Sequence, residues 1–275
     1  MPLTELAGLS DLHVHSQFSC DGSATMEATC CRAIELGLRW IAFTDHVDLE
    51  PQDAGFGFFQ PDAYFAEIER CRALFAGRLT ILSGVEIGEI HRFSQEAAAL
   101  LGRYRFDLVI GSLHWVDGAL VLDRAYFEAR PADQAYRTYL AELAPMCRDG
   151  GFDVLGHLDI VKRAGALEPS AFSIDPYKEE VRAVLEVLVG QGIGLELNTS
   201  TLRRPVNQTS PTRTVLEWYR KLGGELLTLG SDAHQVDHVA AGFAPAIQLA
   251  LAAGFRYLTV YVERQPRFYP LEVSR

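Results

Sequence analysis

Near the N-terminus, Asp11-Leu12-His13-Val14-His15 sets two histidines around one apolar residue, at the end of an apolar run over residues 6–12. Alternate residues of a strand share a face, so His13 and His15 project side by side from a strand end, as two imidazoles must to bind one metal ion. Later apolar runs end in the same way. Residues 38–43 lead into Thr44-Asp45-His46, 79–85 into Glu86, 106–110 into Gly111-Ser112-Leu113-His114, 152–155 into Gly156-His157, and 226–229 into Gly230-Ser231-Asp232-Ala233-His234. With Asp21, from the polar loop after the first motif, the candidate ligands are His13, His15, Asp21, His46, Glu86, His114, His157, Asp232 and His234. A single histidine at a strand end is ordinarily capped or solvated, but six of the eight histidines placed this way form a pattern. Imidazole and carboxylate suit zinc, manganese or iron. One ion rarely takes more than four protein ligands, so this set implies two to three divalent ions. Glu86, with two oxygens, is a natural bridge.

Those strand ends must be held in one array. Between them the sequence predicts helices over 25–36 (capped by Thr25 and stopped by Gly37), 62–75, 94–102, 131–147, 175–189, 212–222 and 239–252. A strand over 193–197 ends at Asn198, residues 120–122 read as a short hairpin partner, and 257–262 as a last strand. Strands alternate with helices at least seven times, the mark of a parallel α/β fold. No linker or low-complexity segment interrupts the chain, so residues 1–275 are expected to form one domain. In a β/α barrel the C-terminal strand ends share the face that carries the site. An open doubly wound sheet would draw on fewer strands, so the expectation is a closed or nearly closed barrel. The loop over 47–60 is long for a plain connection and is expected to shape a pocket. His91 and His238 fall outside the strand-end pattern: His91 reads as a loop residue, and His238, four residues after His234, as either a surface helix position or one that reaches the substrate.

The composition, 48% hydrophobic and 22% charged, is that of a globular protein. A net charge of −11 argues against nucleic acid as the main partner, and bound cations would offset part of it. No run of 18 apolar residues predicts a membrane span, and no basic segment followed by an apolar core predicts a secretory signal. Five cysteines without a CxxC pair read as reduced thiols, which fits the cytoplasm. The oligomeric state stays open.

The motifs at Asp11–His15, Thr44-Asp45-His46, Gly84-Val85-Glu86, Ser112-Leu113-His114, Gly156-His157 and Gly230–His234 resemble, in order, those of the PHP (polymerase and histidinol phosphatase) superfamily of metal-dependent phosphoesterases. Gly111-Ser112-Leu113-His114-Trp115, Gly156-His157-Leu158-Asp159-Ile160-Val161-Lys162-Arg163 and Glu196-Leu197-Asn198-Thr199-Ser200 look most like its monofunctional histidinol-phosphatases. The resemblance implies a distorted (β/α)7 TIM-like barrel with a trinuclear centre. His13, His15, Glu86 and Asp232 would hold the first ion; Glu86, His114 and His157 the second; His46, His234 and Asp21 the third. Some relatives carry histidine where this chain has Asp21, and a carboxylate there shifts preference towards manganese or iron.

The implied reaction is hydrolysis of a phosphate monoester, L-histidinol phosphate, in histidine biosynthesis. A phosphate dianion repels hydroxide, so the site must be cationic; two ions sharing a water would supply hydroxide for in-line attack on phosphorus. Arginine binds phosphate in bidentate fashion. Arg163 and Arg203 are the expected phosphate ligands, with Arg204 as the fallback, and His234 or a metal-bound water would protonate the leaving alcohol. His46 and Trp115 are expected at the substrate, and Asp48, Glu50, Asp53, Phe56, Phe58, Phe59 and Asp117 are candidates for recognising an amine and an imidazole. The alternatives are a PHP enzyme acting on another small phosphate, nucleotide or phosphodiester, a TIM-barrel amidohydrolase, which would need a bridging lysine where this chain has Glu86, and a non-catalytic metal-holding domain.

Overall fold

The structure, a computed structural model, describes residues 8–165 and 172–271. Leu6 and Ala7 of the first apolar run lie outside the described residues. Seven parallel strands run in the order β1 (Ser10–Val14), β2 (Trp40–Phe43), β3 (Thr80–Gly88), β4 (Leu108–Ser112), β5 (Val154–Leu155), β6 (Gly194–Asn198) and β7 (Leu227–Gly230), each hydrogen-bonded to the next. A two-residue strand, His46–Val47, extends the β2 side of β3. Between β1 and β7 the contact is one parallel bridge, Val14 to Ala233, flanked by His15 N–H to the Ala233 carbonyl and Asp232 N–H to the His13 carbonyl, both 2.8 Å. The sheet is therefore a nearly closed barrel of seven strands with this short seam.

The strands are apolar on both faces because both are covered, as parallel strands require. Outside, helices such as Met26–Glu35, Ala132–Asp149 and Lys178–Gln191 bury Cys30, Leu143 and Leu185 against them. Inside, Leu12, Trp40, Ala42, Leu82, Leu108, Ile110 and Val154 form a second core with Val260 and Tyr261. These last two belong to a segment that the sequence showed only as a final strand. It is an antiparallel hairpin, β8 (Tyr257–Val262) with β9 (Gln265–Pro270), lying off the parallel sheet. Its turn residues Glu263 and Arg264 both have positive φ, the geometry of a tight hairpin turn. Asp107 takes both of their N–H groups, one on its side chain and one on its carbonyl, and Asp153 takes the Arg264 guanidinium at 3.0 Å. These contacts fasten the hairpin to the N-terminal ends of β4 and β5, so it stops the barrel at the end opposite the histidines.

Other boundaries moved for identifiable reasons. The helix expected over 239–252 spans Phe243–Ala252, because Ala240 and Gly242 take positive φ and a 3-10 turn, Val236–His238, precedes them. The short hairpin is Trp115–Val116 with Ala119–Leu120, one residue earlier than expected. Short helices at Arg124–Glu128 and Lys162–Gly165 had no sequence signal. No helix among the described residues is long and apolar enough to cross a membrane.

Candidate metal centre

His13 is the penultimate residue of β1, within a register irregularity in the β1–β2 pairing between Asp11 and Val14, and His15 follows the strand end. The two rings converge, with Nε2 atoms 3.1 Å apart. Hydrogen bonding fixes the tautomer of each. Glu196 Oε1, an acceptor only, lies 2.6 Å from His13 Nδ1, so that nitrogen carries the proton. Ser19 donates its hydroxyl to Asp45 (2.7 Å), so it accepts from His15 Nδ1–H at 3.0 Å and from the His46 N–H at 3.0 Å. Their Nε2 atoms face each other in a wholly buried site. Two lone pairs there would repel, so a cation, whether a proton on His13 or a metal ion, must lie between them, and a ligating histidine ordinarily donates its other ring N–H in this way.

Glu86 presents one oxygen to each half of the cluster. Its Oε2 lies 3.2 Å from His13 Nε2, 3.4 Å from His15 Nε2 and 3.2 Å from His46 Nδ1; its Oε1 lies 2.8 Å from His157 Nε2 and 3.5 Å from His114 Nε2. The Ser112 hydroxyl donates to Oε1 as well. Asp232 Oδ1 lies 3.3 Å from His15 Nε2 and 3.5 Å from His234 Nδ1. Asp21, half-exposed, reaches His234 Nε2 at 3.0 Å and His46 Nε2 at 3.9 Å. The structure thus brings all nine sequence-predicted ligands into one cluster. Four overlapping triads in it have ligand atoms close enough to share an ion: His13, His15 and Glu86; His46, Glu86 and His114; His15, His46 and His234; His13, His157 and Asp232. His46 Nδ1 and His157 Nδ1 are buried without a hydrogen-bond partner, and the donor set is that of zinc, manganese or iron.

The electrostatics are those of a site built around cations. Burial disfavours charge on His13, but Glu196, Glu86 and Asp232 outweigh it and hold its pKa well above the usual value. Burial and the neighbouring His234 and His46 push His15 down to about 3. Against burial, the surrounding histidines hold Glu86 and Asp232 well below the ordinary carboxylate range. Asp232 stands in the left-handed region, φ +52°, a strain that functional positions tolerate.

The loops are pinned by groups that sequence reasoning passed over. Asp11 accepts from the N–H and hydroxyl of Ser231 and from Ala240 N–H, and Asp45 accepts from Ser16 and Ser19. Glu89 accepts the N–H groups of His114 and Trp115. Glu196 takes the His157 N–H and Asn198 Nδ2–H on its second oxygen, at 2.7 and 3.2 Å. Its only signal in sequence was membership of a motif after an apolar run. Gly230 belongs to the same arrangement: a Cβ there would lie 2.2 Å from Glu196 Oε1 and 2.5 Å from His13 Cβ.

Beside Asp232 and His234 opens a cleft of about 390 Å³ lined by Arg163, Arg203 and Arg204, with Asp21, Ser200 and His238. Arg203 Nη2 donates to the carbonyls of Ser231 (2.8 Å) and Asp232 (3.1 Å), while its buried Nη1 has no partner. Arg204 is exposed. On another side, Trp115 is half-buried and its Nε1–H donates to Asp53 at 2.6 Å. Asp48, nearly buried, lies 3.8 Å from His46 Nδ1; burial raises its pKa against the pull of His46 and His114. Phe56 and Phe58 are exposed. His91 lies away from the cluster and pairs with Glu142 at 3.0 Å. The five cysteines are free thiols.

A nearly closed β/α barrel with a carboxylate-bridged cluster of histidines at the C-terminal strand ends defines a metal-dependent hydrolase. The family model described as the PHP domain matches residues 11–200, and the chain belongs to that family. A probable histidinol-phosphatase of Deinococcus radiodurans is 33% identical over 262 residues, 92% of this chain and 97% of that protein. The histidinol-phosphatase of Lactococcus lactis is 30% identical over 91% of this chain and 93% of its own length. A crystal structure of histidinol phosphate phosphatase from the same organism, in complex with zinc, L-histidinol and phosphate, superposes with a TM-score of 0.87 at 26% identity, covering 95% of this chain and 99% of that one.

Proposed function

We propose that this protein hydrolyses L-histidinol phosphate to L-histidinol and phosphate. The observation that carries the reading is the Glu86-centred histidine cluster opening beside a cleft that holds three arginines. The two Lactococcus comparisons and the Deinococcus relative direct the choice of substrate.

Two to three divalent ions fit the donor set, with zinc, manganese or iron as candidates. His13, His15, Glu86 and Asp232 would hold one; Glu86, His114 and His157 a second; His46, His234 and Asp21 a third. Bound ions neutralise a phosphate dianion and lower the pKa of water, so that a nucleophile exists at neutral pH. The chain's own groups do the rest. Glu196 and Ser19 hold the His13 and His15 lone pairs towards the centre. Arg163 and the free Nη1 of Arg203 point their charge to the phosphate side, where transition-state charge develops on the oxygens. His234, half-buried between Asp21 and Asp232, would protonate the departing alcohol only where it does not hold the third ion; otherwise a metal-bound water would supply that proton. Asp48 and the Asp53–Trp115 pair offer a carboxylate and an aromatic face to an amine and an imidazole. The free thiols fit a cytoplasmic setting. The amidohydrolase alternative loses its bridge: Lys162 is buried but bonded to Asp159.

The test is phosphate release from L-histidinol phosphate, with zinc, manganese and iron(II) supplied separately, beside sugar phosphates, nucleotides and a phosphodiester. A kcat/KM about a hundredfold above the rest, roughly 2.7 kcal/mol, is expected. Preference for another ester refutes the substrate, and no hydrolysis with any metal refutes the reaction.

A further inference from the structure

Asp159 and Lys162 lie between His157 and Arg163, and both side chains are wholly buried. Lys162 Nζ donates to Asp159 Oδ2 at 2.9 Å and to the Thr209 carbonyl at 2.7 Å. The other Asp159 oxygen accepts from the Ser210 hydroxyl. Thr209 and Ser210 end the loop that carries Arg203, and Ser210 is joined to Asn198, the last residue of β6, by two backbone hydrogen bonds of 2.7 and 2.9 Å. A buried ion pair seldom offsets its own desolvation better than an apolar pair of equal volume, so a role other than bulk stability is called for. The bonds that leave the pair run to the other loop. Arg163 stands next to Lys162, half-buried, and its guanidinium makes no hydrogen bond among the described residues. Arg163 and Arg203 line one cleft from these two loops.

We propose that the Lys162–Asp159 pair is a positioning joint. It fixes the two arginine-bearing loops relative to each other, so that Arg163 and Arg203 meet one phosphate group. The inference rests on the reading of those arginines as phosphate ligands.

The test uses the full-length, metal-loaded enzyme with inorganic phosphate as competitive inhibitor. Lys162→Met alone strands a buried carboxylate, so the informative variant is Asp159→Asn with Lys162→Met, which removes both charges at similar volume. Ser210→Ala, which keeps the ion pair and cuts one of its two bonds across the loops, is the second arm. The charge-free pair raises KM and the phosphate Ki about tenfold, and Ser210→Ala raises them about threefold, with metal content unchanged. In an Arg163→Ala background, which itself weakens phosphate, the charge-free pair costs at most about twofold more, because the two changes act through one contact. Independent, multiplying losses overturn the joint, as does an unchanged Ki in both arms, or a loss that follows metal content. If Arg163→Ala leaves the phosphate Ki at the parent value, the phosphate-ligand reading falls first and the joint falls with it.

Discussion

Replacing Glu196 by glutamine turns one buried oxygen into an NH2 group at nearly constant volume. Three donors surround the two carboxylate oxygens: His13 Nδ1–H on one, His157 N–H and Asn198 Nδ2–H on the other. A carboxamide has a single acceptor oxygen. If that oxygen stays with His13, the NH2 opposes the His157 N–H. If the amide turns, the NH2 faces His13 Nδ1 and drives the ring proton onto Nε2, the atom that faces His15 and Glu86. A hydrogen bond to a charged group contributes about 1.5–3 kcal/mol. At about 1.4 kcal/mol per tenfold, Glu196→Gln should weaken metal affinity by about 10- to 150-fold, in the range found for partners of metal-bound histidines. The assay is activity and metal content against buffered free zinc, with parent and variant titrated side by side. Activity should shift to higher free metal in the variant, while its metal-free melting temperature changes little relative to that shift. Superimposable titration curves would refute the claim that Glu196 sets the donor state of His13.

Dialysis against a chelator should abolish hydrolysis, and readdition of a divalent ion should restore it; activity that survives measured metal loss would contradict the metal reading. Gly230→Ala should lower both metal content and melting temperature, because its Cβ meets Glu196 Oε1 at 2.2 Å and His13 Cβ at 2.5 Å; a well-folded variant with full metal content would show that the seam has room. Arg203→Lys should raise KM and the phosphate Ki by about tenfold, since an ammonium cannot both hold the Ser231 and Asp232 carbonyls and reach into the cleft; initial rates settle this. Burial, with Asp21, Asp48 and Asp53 adding to it, pushes the Cys20 thiol up to about 11. Its thiolate is therefore a minor species below that pH, and in the metal-free protein at pH 8 Cys20 should react with iodoacetamide roughly a hundredfold more slowly than an ordinary cysteine. Peptide-level alkylation rates would expose an error in that sign.

All the ligands but Asp21 were legible because they follow local apolar runs: His46 comes after 38–43 and His157 after 152–155, and strand ends can be read a few residues at a time. What orients them is not local. Glu196 meets His13 across 183 positions, and Ser19 accepts from His15 because its own hydroxyl donates to Asp45. Such partners depend on how loops fold over one another, and residue type alone does not reveal them. The hairpin was half visible: Tyr257–Val262 has the apolar, aromatic content of a strand, whereas Gln265–Pro270 carries two prolines and exists as a strand through its pairing. The late start of the helix at Phe243 did have a signal, in Gly242 followed by Pro245, which a first helical turn accepts and an interior turn does not.

The seam between β1 and β7 gives the histidine cluster a mechanical meaning. Neighbouring strands elsewhere share a ladder, but here one backbone bridge, its two flanking hydrogen bonds and the Asp11 carboxylate on Ser231 join chain segments that are more than two hundred residues apart. His13 and His15 stand on one side of this join, Asp232 and His234 on the other, all around the same space. An ion held there is also a rivet across the barrel, and its binding free energy opposes local opening. When metal leaves, the barrel should breathe at this join first, with the amides of His15 and Asp232 exchanging deuterium ahead of those in β3 and β4.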